Sequence, residues 1–151
     1  MTIQIDSREK PHAIRRIVSY FDQNGIDHFT AKLNVGDYVN PANPHVAIDR
    51  KQNLDELCSN LISDDRGRFW REIRRAKADG VKLYILCEHG GGIKSIPDVA
   101  RWRSKYSPFS GRELMERIYK VHISYGVEFL FCDKRQTGKR IFELTEQVQS
   151  I

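Results

Sequence analysis

Residues 2–6, TIQID, alternate apolar and polar positions and are rich in β-branched side chains, which predicts a strand ending at Asp6. Pro11 suits a first helical turn, and Ile14, Ile17, Val18 and Phe21 then recur at helical spacing up to the stop at Asn24-Gly25. HFTAKL at 28–33, VGDYV at 35–39 and HVAID at 45–49 read as three further strands. The turn cluster NPANP at 40–44 joins the last two as a hairpin. Asn53 followed by Glu56 is a capping box that opens a helix through Ile62. The next helix puts Phe69, Ile73 and Ala76 on one face and Arg68, Arg71 and Arg75 on another. KLYILCE at 82–88 is a continuous apolar run expected to be a central strand, and HGGGIKSIPD at 89–98 a mobile loop. Ser110 and Glu113 make a second capping box, leading a helix to about Tyr125. A buried strand at 127–132 and a last helix from Thr137 to Val148 complete an α/β pattern, a mixed sheet flanked by helices.

The 151 residues fit one domain, 1–151, with a real core, and 40% hydrophobic with 30% charged residues excludes a disordered chain. No signal segment opens the chain and no apolar run is long enough to span a membrane, so a cytoplasmic protein with no membrane partner is expected. Cys58, Cys87 and Cys132 are far apart and odd in number, which argues against a disulfide framework or a zinc site and for core packing. Net charge is +5. Its placement says more. Arg66, Arg68, Arg71, Arg74, Arg75 and Lys77 fall within 64–77, and RWRSKY spans 101–106. Basic residues interleaved with Phe69, Trp70, Trp102 and Tyr106 suit a nucleic-acid surface, and equally a solvated helix face.

Carboxylates at strand ends carry the chemical signal. Asp6 and Glu9 follow the first strand, Asp37 lies in the third, and Asp49 ends the fourth, in IDRK. Asp49 and Lys51 are two apart, so an extended segment points them to one side and Arg50 to the other. A hairpin would bring Asp37 close to Asp49. Two such carboxylates repel unless a cation neutralises them, and an all-oxygen set favours Mg²⁺ or Mn²⁺. A nearby lysine can position or deprotonate a metal-bound water, or steady the charge of a phosphate under attack. Spacing alone leaves structural ion pairs as the commoner explanation.

IDSRE at 5–9, VGDY at 35–38, IDRKQNLDEL at 48–57 and RGRFWRE at 66–72 occur in this order. Together they resemble the nuclease domain of the XPF/Hef family of structure-specific DNA endonucleases, whose signature is GD, a gap, then ERKxxxD. The match covers about residues 3–88. Asp49 stands where the family usually has Glu. The resemblance implies a restriction-endonuclease-like fold, a divalent metal (Mg²⁺ or Mn²⁺) and cleavage of branched DNA near single-strand/double-strand junctions. By position, Asp37 and Asp49 resemble the metal ligands and Lys51 the catalytic lysine. Asp6, Arg8 and Glu9 resemble the supporting cluster, Arg50 and Asp55 residues that hold the site together, and Arg68 the arginine of the GR motif.

Arg68, Arg71 and Arg75 are expected to contact flanking phosphates. The family's nuclease domains dimerise, which implies a homodimer or a hetero-partner. The apolar 114–132 segment and the last helix, with Leu114, Ile118, Val121 and Phe142, are the expected dimer face. No helix-hairpin-helix or helicase domain is expected in the 151 residues, and the small size points to a bacterial, phage or mobile-element protein. Plainer roles stay open: Asp6 as a helix cap, Arg8–Glu9 as a surface pair, Asp55 as a first-turn acid, Glu72 paired with Arg75 or Arg68, and Tyr38 as packing. A non-catalytic DNA-binding scaffold, a Holliday-junction resolvase and a restriction-type nuclease are the rival functions.

Overall fold

The computed structural model describes residues 1–146. Strand β1 (Thr2–Ile5) leads through a 3₁₀ turn (Pro11–Ile14) into α1 (Arg15–Gln23). Then come β2 (Asp27–Thr30), β3 (Tyr38–Val39), β4 (Val46–Lys51), α2 (Leu54–Leu61) and α3 (Arg68–Ala78). The chain continues through β5 (Lys82–Cys87), a second 3₁₀ turn (Ile96–Arg101), α4 (Gly111–Tyr125), β6 (Glu128–Phe131) and α5 (Thr137–Glu146). The strands form one mixed sheet in the order β2-β1-β3-β4-β5-β6. β3 runs antiparallel to both its neighbours, while β1–β2 and β4–β5–β6 are parallel.

Helices cover both faces. On one side Ile3, Ile5, Tyr38, Ile48 and Leu86 pack against Ile14, Ile17 and Phe21 of the α1 segment and Ile141 and Leu144 of α5. On the other, Ala47, Leu83, Ile85 and Cys87 pack against Leu57 and Leu61 of α2, Phe69 and Ile73 of α3, and Leu114 and Ile118 of α4. A sheet covered on both faces explains the unbroken apolar run of β5 and the complete burial of β4. Val46 and Ile48 face α1 and α5, whereas Ala47 faces α2, α3 and α4. By the same alternation Asp49 and Lys51 leave the α3 side of the sheet and Arg50 the α1 side.

Element order follows the hydrophobic pattern, with local differences. The third strand shortens to two residues because Gly36 adopts φ +77°, which ends extended pairing there. The second strand ends at Thr30; beyond one backbone bond from Ala31 N–H to Ile5 O, the 31–34 segment is held by side chains: Gln4 Nε2 donates to Ala31 O, and Leu33 N–H donates to Asp6 Oδ1. β4 runs on to Lys51 because β5 continues beside it, pairing Lys51 with Cys87. The 89–98 loop contains the start of an unforeseen 3₁₀ turn, with a capping box between Ser95 and Asp98. Both foreseen helix caps form: Asn53 accepts from Glu56 N–H and Ser110 from Glu113 N–H. Val148, the expected end of the last helix, lies outside the described residues.

The expected dimer face is corrected. Leu114, Ile118 and Val121 are fully occupied in the core of the single chain, and Phe142 packs half-buried against the α1-side cluster. The three cysteines are free and buried. Among the described residues no helix is long and apolar enough to cross a membrane.

Candidate active site

Gly36 and Asp37 sit against β4 in a turn that only glycine fits. A Cβ at Gly36 would lie 3.0 Å from both Ala47 Cβ and Ile48 O, at a φ that L-residues rarely adopt. Three hydrogen bonds to main-chain groups fix Asp37: its N–H donates to Ile48 O at 2.7 Å, its O accepts from Asp6 N–H at 2.8 Å, and its side-chain Oδ2 accepts from Arg50 N–H at 2.8 Å. The carboxylate is thereby tied to the strand that carries Asp49.

A cleft of about 300 Å³ opens there, lined by Asp37, Asp49, Lys51, Glu9, Arg8 and Arg50 with Glu56, Asn60, Arg68, Phe69 and Glu72. Lys51 Nζ lies 3.2 Å from Asp49 Oδ2 and 5.0 Å from the centre of the Phe69 ring. Loss of solvent, and then the neighbouring charge of Asp49, push the Asp37 carboxyl well above the usual range. Burial works against the Lys51 charge, but Asp49, Glu56 and Asp37 outweigh it and hold its pKa raised. With these carboxylates free of a cation, Lys51 is held as an ammonium, a hydrogen-bond donor and a positive charge beside Asp49.

Arg50 lies on the opposite side, buried between two carboxylates. Nε donates to Glu9 Oε2 at 2.9 Å and Nη1 to Glu88 Oε1 at 2.5 Å. Glu9 also accepts from the Tyr38 hydroxyl at 2.8 Å, and Glu88 Oε2 from Thr137 Oγ1 at 2.6 Å. Burial disfavours the guanidinium charge, yet the bonds to Glu9 and Glu88 raise its pKa. Tyr38, buried in the core, thus adds a hydrogen bond to its packing role.

The remaining predicted residues are placed as follows. Asp6 is fully buried, accepts from Arg8 Nε at 2.6 Å and Leu33 N–H at 2.8 Å, and does not line the cleft; it anchors the 31–34 segment and does not cap the first helix. Asp55 also lies outside the lining and accepts from Ser104 Oγ at 2.5 Å, tying the first turn of α2 to the 102–109 segment. Arg68, Arg71 and Arg75 gather with Arg8 and Lys32 around an adjoining cavity of about 480 Å³, and Arg75 Nη1 donates to Asn34 O. The aromatic interleaving is corrected: Phe69 and Trp102 are core residues, Trp70 is half-buried, and only Tyr106 of that set is exposed.

Sequence reasoning missed two carboxylates. Glu72 does not pair along its own helix; Oε1 accepts from Gly36 N–H at 3.1 Å, and burial followed by the charge of Asp49 pushes its pKa up to about 7. Its signal was the spacing: four residues after Arg68, on one helix face. Glu88 immediately follows β5, and the register of Lys51 with Cys87 sets it beside the end of β4. His89, given no role, accepts from Leu54 N–H at 3.3 Å and caps α2.

A family model described as the ERCC4 domain matches residues 5–143. The chain belongs to the ERCC4 domain family. Its fold is that of the XPF nuclease domain. XPF from Aeropyrum pernix superposes with a TM-score of 0.67 at 18% identity, covering 96% of this chain and 63% of that one. A second structure, XPF from Aeropyrum pernix in complex with DNA, gives 0.64 at 19% identity, with 95% and 62% covered. The ERCC4 chain described here thus spans a little under two thirds of each of these XPF chains. Comparison with curated proteins gives no match.

Proposed function

We propose that this ERCC4 domain is a divalent-metal-dependent DNA endonuclease that hydrolyses phosphodiester bonds at branched DNA in repair, recombination or replication. The observation that carries the reading is the convergence of Asp37, Asp49 and Lys51 in one cleft. The DNA-bound XPF structure supports the choice of polymer.

The donor set fits Mg²⁺ or Mn²⁺. Asp37 and Asp49 offer only oxygen, and Asp37 is destabilised as an anion by its surroundings and by Asp49, which a cation between them would relieve. Among the described residues no group of three or more His, Cys, Asp or Glu side chains is arranged to hold a metal. Mg²⁺ keeps several waters and commonly takes one or two carboxylates plus substrate phosphate, which Asp37 and Asp49 match in number and ligand type. A bound divalent cation supplies a polarised water and neutralises phosphate charge.

The chain's own residues do the rest. Asp37 and Asp49 would hold the cation at the end of β4. Lys51, kept charged, donates to a phosphate oxygen and stabilises the negative charge that grows as water attacks. Arg50, Glu9, Glu88 and Tyr38 lock the strand end so that the three reactive side chains keep their spacing. Arg68, Arg71 and Arg75 bind flanking phosphates.

The test is cleavage of labelled fork, flap, four-way-junction and linear duplex DNA with Mg²⁺ or Mn²⁺ and with EDTA, for wild type and Asp49→Ala. Metal-dependent cutting of forks or flaps, lost in the variant, supports the proposal. Preference for four-way junctions or plain duplex assigns a resolvase or restriction-type nuclease instead. Salt-sensitive binding by both proteins without cutting assigns a non-catalytic scaffold.

A further inference from the structure

We propose that a second, basic cavity on the α1 side of β4 holds backbone phosphates of the single-stranded branch as it leaves the catalytic cleft; this rests on the nuclease reading above. The cavity is larger than the cleft, about 580 Å³, and its charged lining is Arg15, Arg16, Arg50, Lys134 and Glu88, with His12 beside them. Its one carboxylate is already engaged at both oxygens, by Arg50 Nη1 at 2.5 Å and Thr137 Oγ1 at 2.6 Å. Arg50 is held by Glu9 and Glu88, but the other cations are not engaged. Among the described residues, Arg15, Arg16 and Lys134 take part in no ion pair, whereas Arg66, Arg101 and Arg135 each bind a carboxylate two or three residues away. Surplus positive charge around a cavity is a site for a polyanion.

Position selects which polyanion. Arg50 lines both this cavity and the catalytic cleft, so the two open on either side of one strand end. A strand crossing the end of β4 passes from Asp49 and Lys51 on the α3 side to Arg15 and Arg16 on the α1 side. No Phe, Tyr or Trp lines the cavity and His12 is its one ring, so its charged groups would grip the backbone and read little sequence. At about 580 Å³ the cavity is too small to enclose a duplex, whose major groove alone is about 12 Å wide. Duplex contact is left to the exposed arginines of α3.

The experiment measures binding of the full chain in EDTA by fluorescence anisotropy. The probes are oligothymidylate, a blunt duplex and a flap bearing a single-stranded arm, over a range of salt. Arg15→Ala/Arg16→Ala is compared with Lys94→Ala/Lys120→Ala, which removes the same charge elsewhere, and with Lys134→Ala on a separate element. All these side chains are exposed, and thermal melts confirm that each variant folds. The Arg15/Arg16 variant is expected to raise Kd for oligothymidylate and the flap about tenfold, and to flatten the salt slope by roughly 1.4, near 0.7 for each phosphate left without its arginine. Duplex affinity should hold, Lys134→Ala should give a smaller loss in the same direction, and the charge control should give none. Equal losses on duplex and single strand, or a matching loss in the control, overturn the proposal. So does wild-type affinity in the Arg15/Arg16 variant; if wild type still binds the flap and cuts it once Mn²⁺ replaces EDTA, the nuclease reading survives alone. If wild type binds no probe in EDTA and cuts none with Mn²⁺, both fall.

Discussion

The main-chain N–H of Arg50 donates to Asp37 Oδ2 at 2.8 Å, while the Arg50 side chain turns to the other side of the sheet to meet Glu9 and Glu88. One residue therefore fixes an acidic group of the cleft with its backbone and clamps the strand end with its guanidinium. The arrangement explains how β4 tolerates Asp, Arg and Lys in succession while fully buried. Asp49 and Lys51 pair with each other on one side, and Arg50 pairs on the other with Glu9 and Glu88, which come from distant parts of the chain.

Removing Arg50 tests this clamp. Arg50→Met leaves Glu9 and Glu88 facing each other without a cation, and should cost about 3–5 kcal/mol of stability in urea denaturation. Arg50→Met combined with Glu9→Gln should recover part of that loss. Additive losses would contradict the shared ion cluster.

Gly36→Ala is expected to damage the site more than its size implies. The added methyl meets Ala47 Cβ and Ile48 O at 3.0 Å and strains a positive-φ position, so stability should fall by about 1–3 kcal/mol. Asp37 moves with its neighbour, so cleavage should drop more than the folded fraction does. Single-turnover rates corrected for folded fraction check this.

Stability of the metal-free protein should fall as pH rises from about 4.5 to about 7. Glu72 is raised to about 7 and Asp37 is raised in the same sense, so the folded chain binds protons that the unfolded chain has released. The contribution is fully present below the ordinary carboxyl pKa and is lost through the raised one. Mg²⁺ or Mn²⁺ should therefore increase the melting temperature more at pH 7.5 than at pH 5, given the local carboxylate repulsion it relieves. Melting curves with EDTA that rise across this interval would contradict the assignment.

Arg68→Ala and Arg71→Ala should weaken duplex binding at every sequence alike and lower the slope of log K against log salt by roughly 0.9 for each phosphate left without its arginine. Titrations at several salt concentrations read this directly. An unchanged slope would assign these arginines to the solvated face.

The sheet and its helices were legible because β5 is uniformly apolar and α3 and α4 carry a helical stripe. The order of Gly36-Asp37 and Asp49-Arg50-Lys51 along the chain also showed where acidic groups would gather. Contacts of long sequence separation were hidden. Nothing local in RFWRE shows that Glu72 accepts from Gly36, 36 residues earlier. Glu88 appears as the end of a strand until the β4–β5 register sets it against Arg50. The apolar stripe of α4 was assigned outward because periodicity shows that a face is buried without showing what buries it; α2, α3 and the sheet had already claimed it.

The most direct test of the central claim is the single-turnover rate of flap cleavage as Mn²⁺ is raised, for wild type, Asp37→Asn, Asp49→Asn and Lys51→Met. The account predicts a wild-type rate that saturates with Mn²⁺. It predicts losses of at least about 10³-fold in both Asn variants and about 10²–10³-fold in Lys51→Met, where the metal dependence is kept. Cutting that persists in EDTA, or Asn variants that cut at the wild-type rate, would contradict it.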